Sequence, residues 1–326
     1  MKPDARLTIS APTGPAGRLP GRLSKEVAVA LQDAVAPNTR KTYASAWQRF
    51  TAWADAEGLP ALPAAPATVA GYLAALMGAG RTLATARLHR AAILKAHDLV
   101  GHPRPDGPEI RTLLRGLDRR HGKPQNQASG LTRAGLTAIR ATAHQPRPGR
   151  GGSLESTEKA RRRGDLDIAL ASVMRDGLLR ISEAADLTWA DIQRTEKGDG
   201  RARIYRAKTA KRAGERQLVY LGAPTMAALA RIRPIPLDPE ALVFGLRPNQ
   251  LAVRLKQAAR SAGLEGNYSG HSPRVGMAQD LLANGAELPA IMQAGGWKTS
   301  RMVARYTERQ TLERGAVARY YDRPSG

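Results

Sequence analysis

Residues 270–307 read GHSPRVGMAQDLLANGAELPAIMQAGGWKTSRMVARYT. Pro273 suits the first turn of a helix, where its missing N–H is not needed. A helix starting there aims free backbone N–H groups at the spot shared by His271 and Arg274, which makes an anion site. Gly295-Gly296 breaks a second helix, and Ser300 can cap a third that carries Tyr306, nine residues after Trp297. Each of these residues is ordinary by itself. A lone histidine, a tryptophan after paired glycines and a tyrosine at a helix end usually belong to packing. Their succession within one short stretch asks for a common site.

Two stretches upstream extend that site. LLRISEAADL (178–187) spaces Arg180 and Glu183 three apart, on one face of an expected helix. An unpaired guanidinium in so apolar a stretch is costly, which favours a pocket with Glu183 as its supporting carboxylate. RAKTAK (206–211) sets Lys208 at the tip of an expected hairpin. Basic residues are commonplace on such tips. Nearby cations and burial would lower this ammonium from its ordinary pKa of ~10.4 and make it a proton donor. Arg180, Lys208, His271, Arg274 and the Trp297 N–H can all donate hydrogen bonds, and Tyr306 is a nucleophile. The set describes a cage for a phosphodiester with an attacking phenol beside it.

Composition agrees. The chain has 326 residues, 51 Lys+Arg against 28 Asp+Glu, and a formal net charge of +23 spread along its length. That excess points to a polyanion, most simply nucleic acid. There are no cysteines, which excludes disulfides, cysteine-held zinc and a thiol nucleophile. The six histidines form no HExxH pattern and no P-loop stretch occurs. The first residues lack the apolar core of a signal peptide, and no run of apolar residues is long enough to span a membrane. A cytoplasmic protein at the nucleoid is expected.

At roughly 100–200 residues per domain, two domains are expected. Residues 1–22, rich in Pro, Gly and Arg, read as a disordered basic tail. Residues 23–121 carry helical periodicity at 23–36, 38–56, 67–78, 82–100 and 107–121, with Asn38 or Thr39 as the cap of the second and Leu99 facing inward on the fourth; they form an all-α bundle. The polar stretch 122–130 reads as a linker. Residues 131–326 form the second domain. A helix starts at Thr132, a loop occupies 145–156, and a long helix covers 164–186. Segments 189–193, 202–206 and 217–221 make a small antiparallel sheet with turns at 196–200 and 208–214, and helices return from 224. The fold class is mostly α with a small antiparallel sheet.

This order of motifs resembles the tyrosine recombinase, or phage integrase, superfamily, in the branch of Cre recombinase. GHSPRVGMAQDLLANG and IMQAGGWKTSRMVARYT carry the likeness most strongly, including Trp297 where most of the superfamily has a second histidine. LLRISE, DIQRT and IYRAKT add to it, and the N-terminal helices extend it more weakly. The resemblance implies that Tyr306 attacks a scissile phosphate and forms a 3′-phosphotyrosyl bond. It implies that Arg180 and Arg274 clamp the phosphate, that His271 and Trp297 complete the cage, that Lys208 is the general acid and that Glu183 supports the cage. No cofactor or metal is implied. The implied partners are double-stranded DNA with an inverted-repeat site and three further copies of the chain, joined through the C-terminal helix into a homotetramer. Helices 38–56 and 82–100 would face the major groove, with Arg40, Lys41, Ser45, Arg81, Arg87 and Arg90 as contacts, and Arg254 would read bases from the second domain. A DNA-binding protein of this fold without turnover and a type IB topoisomerase are the rival readings. The occupied cage argues against the first and the helical N-terminal domain against the second.

Overall fold

The structure, a computed structural model, describes residues 37–121, 127–149, 151–205 and 216–307. Two compact units divide the chain, Met1–Gln125 and Asn126–Gly326. The expected basic tail 1–22, helix 23–36 and most of the linker lie outside the described residues.

Four helices build the first unit: α1 Pro37–Ala56, α2 Pro66–Gly78, α3 Leu83–Leu99 and α4 Pro108–His121. α1 begins at Pro37, before Asn38 and Thr39, because a proline's fixed φ suits a first helical position. Thr82 caps α3 by accepting from the Thr85 N–H. Phe50, Val69, Tyr72, Leu73, Ile93 and Ile110 fill the core. Leu99, expected inward, is 47% exposed, since it falls at the fraying end of α3. Two histidines are buried among these helices. The Tyr72 hydroxyl meets His89 Nδ1 at 2.8 Å. His97 accepts from the Ala64 N–H at 2.9 Å and, through Nδ1, donates to the Ile93 carbonyl at 2.8 Å.

The second unit holds α5 Arg133–Thr142, α6 Thr157–Asp176, α7 Ile181–Ala185, a 3-10 turn Trp189–Asp191, β1 Ile192–Arg194, β2 Gly200–Tyr205, β3 Arg216–Leu221, α8 Ala223–Ile232, α9 Pro248–Ser261, α10 Ser272–Ala283, α11 Leu288–Gly295 and α12 Ser300–Thr307. α6 is its axis. Every residue from Asp167 to Arg175 is buried, so neighbours cover it on all sides. The three strands pair antiparallel in chain order, with Ala202 opposite Val219. Ala202, Ile204, Val219 and Leu221 face the core, and the alternate residues face solvent. The first expected strand is a 3-10 turn over most of its length, because Asp191 reaches back to the Thr188 N–H and hydroxyl and closes a capping turn.

The long helix expected over 164–186 is two helices. α6 starts earlier, where Ser156 accepts from the Lys159 N–H, and ends at Gly177. Leu178 then takes φ 46°, a left-handed conformation that a branched side chain rarely adopts. Leu178 is 2% exposed, so packing holds it there at a cost of roughly 1–3 kcal/mol. It belongs, with Val275, Ala278, Ile291, Trp297, Val303 and Tyr306, to a small second core joining α10, α11 and α12.

Candidate active site

That second core carries the site. Arg180 is the N-cap of α7 and not a residue on a helix face. Its backbone N–H donates to Glu183 Oε2 at 2.8 Å, and its Nη1 donates to Oε1 at 2.5 Å. Glu183 is buried and ionically paired, so it holds the Arg180 guanidinium in place.

The chain reaches His271 through a serine turn. The Ser269 N–H donates to Ser272 Oγ at 2.9 Å, and the His271 N–H donates to Ser269 Oγ at 3.2 Å. α10 starts at Ser272, one residue before the expected Pro273, and His271 is its N-cap residue. Gly270 lets this turn close on α7, since a Cβ there would lie 3.1 Å from the Ile181 side chain. The segments that carry Arg180 and His271 are therefore packed against each other.

Arg274 is 1% exposed. Its Nη1 donates to the Leu178 carbonyl and its Nη2 to the Gly295 carbonyl, the second at 2.7 Å. Its guanidinium lies 4.2 Å from the centre of the Trp297 ring. Both glycines before that tryptophan are explained. A Cβ on Gly295 would stand 2.1 Å from the indole, and Gly296 turns left-handed at φ 64° to end α11. The left-handed turn at Leu178 has the same logic, since it points a carbonyl at Arg274.

Tyr306, 8% exposed, completes the group. Its hydroxyl lies 2.7 Å from His271 Nε2. Its ring sits 5.7 Å from that of Trp297 and 5.6 Å from that of His271. One cluster thus holds a phenol on an imidazole, a guanidinium on an indole, and a second guanidinium on the adjoining segment. Such a site can receive a proton from the phenol and offer fixed positive charge to an anion. Lys208 falls outside the described residues, as do the expected turn 208–214 and the C-terminal helix. Among the described residues no cluster of His, Asp and Glu could hold a metal ion.

The expected DNA-contact residues of the first unit lie on or just before its helices α1 and α3. Lys41 and Ser45 are exposed on α1, Arg40 is half-buried there, and Arg81 is exposed just before α3. Arg87 pairs with Asp118 at 3.0 Å. Arg90 grips Asp106 with both arms of its fork. Arg254 is likewise engaged: Nε donates to Asp167 at 2.9 Å and Nη2 to the Arg163 carbonyl at 2.9 Å. Asp167 is buried and also receives Arg147 and Arg163. Burial pushes its carboxyl up, while Arg254, Arg147 and Arg163 pull it toward the ionised form. Sequence reasoning missed this knot, because RRRGDLD looks like a solvated charge run. It also missed Ser269, Ser272 and Leu178 as supports. The serines beside His271 were the available signal.

Residues 156–313 match the phage integrase family. The chain is 26% identical to recombinase Cre of Escherichia phage P1, over 88% of this chain and 89% of that protein. It is 25% identical to an integrase/recombinase XerD homolog of Selenomonas ruminantium, over 93% of this chain and 91% of that protein. The fold is similar to that of a lambda integrase dimer bound to a COC′ core site (TM-score 0.59, 16% identity, 87% of this chain and 93% of that one). It is also similar to the Tn1549 transposon integrase in complex with transposon right end DNA (TM-score 0.58, 14% identity, 90% of this chain and 96% of that one). Residues 156–313 thus carry a phage integrase domain, in a chain similar over most of its length to recombinases of phage and bacteria.

Proposed function

We propose that this enzyme cuts and rejoins DNA strands at a specific site through a covalent bond to Tyr306. The observation that carries the reading is the 2.7 Å contact between Tyr306 and His271, beside a guanidinium fixed on Trp297. With Nε2 unprotonated, His271 accepts the phenol's proton as the oxygen attacks phosphorus. The new bond joins Tyr306 to the 3′ phosphate. The bond to the 5′ oxygen breaks, and Lys208 protonates that oxygen as it leaves. Arg180 and Arg274 offset the charge that grows on the non-bridging oxygens, the electrostatic contribution that usually dominates such steps. A 5′ hydroxyl from another strand then attacks the phosphotyrosine and returns the phenol. The energy of the broken bond is kept in the intermediate, so the cycle calls for neither ATP nor a metal.

Support for DNA as substrate comes from the +23 charge and from proteins of similar fold solved in complex with DNA. In this reading the first unit is a DNA-binding arm, and Arg40, Lys41, Ser45, Arg81, Arg87 and Arg90 are its candidate contacts. The four-fold exchange needed to rejoin two duplexes implies a homotetramer on inverted repeats, joined through the C-terminal helix. The test is to incubate the protein with DNA tiled across its own genomic neighbourhood, quench in SDS and look for protein joined to a 3′ end. Wild type forms the adduct. Tyr306→Phe binds DNA but forms none; an adduct in that variant would remove Tyr306 as nucleophile.

A further inference from the structure

We infer that Gln279 is a positioning residue that holds the Tyr306 backbone and ties it to the chain segment entering the second unit. The inference rests on the reading of Tyr306 as nucleophile. Tyr306 is the last but one residue of α12, so its carbonyl is among those a helix leaves without an internal partner. Gln279, on α10, donates its Nε2–H to that carbonyl at 2.9 Å. The helix that carries Arg274 thereby also sets the depth of the nucleophile.

The other end of the same carboxamide faces residues 129–133. A Cβ on Gly130 would stand 2.0 Å from Gln279 Oε1 and 3.0 Å from the Gly276 Cα. A Cβ on Gly276 would stand 2.0 Å from the Leu131 carbonyl oxygen, so the strap crosses α10 where there is no side chain. The Leu131 N–H donates to the Ser272 carbonyl at 2.8 Å, and the Arg133 N–H to Asp280 at 2.6 Å. Arg175 locks both ends, donating to the Leu131 carbonyl and to Asp280. The strap is thus pinned across α10 with Gln279 between it and Tyr306. Whatever moves the strap moves the carboxamide, and a misplacement on the order of 1 Å at a reacting group costs roughly 10² in rate.

The experiment uses the full chain and a nicked duplex, made from the tiled fragment that wild type cleaves best, so that the released strand diffuses away. Gln279→Glu is isosteric but offers an acceptor where a donor is needed. At saturating DNA its adduct should form about 10- to 100-fold more slowly, with unchanged DNA affinity. Gln279→Lys, which restores a donor at similar reach, should recover most of the rate. Gly130→Ala should slow wild type yet add little to Gln279→Glu, since both act through one carboxamide. A wild-type rate in Gln279→Glu overturns the inference. So does a Lys variant as slow as the Glu variant, which would mark plain packing, or full additivity with Gly130→Ala, which would cut the strap out. If wild type itself forms no adduct, the nucleophile reading fails, and that outcome is separate from the others.

Discussion

Arg274→Lys should unfold the second unit more easily even without DNA. Arg274 is 1% exposed and holds two carbonyls from segments far apart in sequence, those of Leu178 and Gly295. Lysine keeps the charge but ends in a compact ammonium that can serve only one of these directions well. The other buried carbonyl gives up its donor, at about 1–3 kcal/mol. The cation–π contact with Trp297, 4.2 Å from the guanidinium, is weakened at a cost of about 0.5–2 kcal/mol. The sum is about 1.5–5 kcal/mol, or a fall of about 3–20 °C at about 2–4 °C per kcal/mol for a domain of this size. Urea and thermal unfolding followed by circular dichroism give the number directly. A Lys variant within about 0.5 kcal/mol of wild type would refute the claim that this guanidinium is a strut. The prediction also separates two meanings of lost activity. Arg180→Ala, whose side chain holds no core carbonyl, should lose roughly 10²–10³ in cleavage rate.

Leu178→Gly should be no less stable than Leu178→Ala, the reverse of the usual order, because glycine relieves the left-handed φ of 46° by about 1 kcal/mol while both lose the same buried side chain; paired denaturation curves decide it. Asp167→Asn should cost about 3–5 kcal/mol, since Arg147, Arg163 and Arg254 would then face one another without the carboxylate; a cost under about 1 kcal/mol would contradict that account. The first unit should weaken in acid. Burial pushes His89 and His97 below the ordinary histidine range, and the His97 contacts fit only a neutral ring. The unfolded chain takes up protons near pH ~6.5 while the fold resists them, so stability is full above that pH and falls as pH drops below it. Melting temperatures between neutral and mildly acid pH should show the fall, and a flat profile would be the contrary result.

Much of the fold was legible in the residues. Thr82 and Thr132 start helices because each hydroxyl meets an N–H three residues on. The alternation in GRARIY and RQLVYL shows as the two longer strands of the sheet. The succession of His271, Arg274, Trp297 and Tyr306 in one short stretch asked for a common site, and their side chains adjoin. What stayed hidden depended on distant partners. LLRISE reads as one more helical turn, and only the capture of the Leu178 carbonyl by Arg274, 96 positions along, explains the break. Arg254 was expected to read bases, and nothing near it in sequence shows its bond to Asp167, 87 positions away. Gln279 sits on a helix as any surface glutamine would, and only its two neighbours give it a task. Helical periodicity reports one face of one element and carries no record of which loop that face will meet.

The central claim is that the phenol of Tyr306 becomes bonded to DNA. Trapped adduct can be digested with nuclease and trypsin and the modified peptide sequenced by mass spectrometry. The account predicts nucleotide on the fragment Tyr306-Thr307-Glu308-Arg309, attached at the tyrosine. Nucleotide on Tyr268, Tyr320, Tyr321 or any serine, with that fragment unmodified, would contradict it.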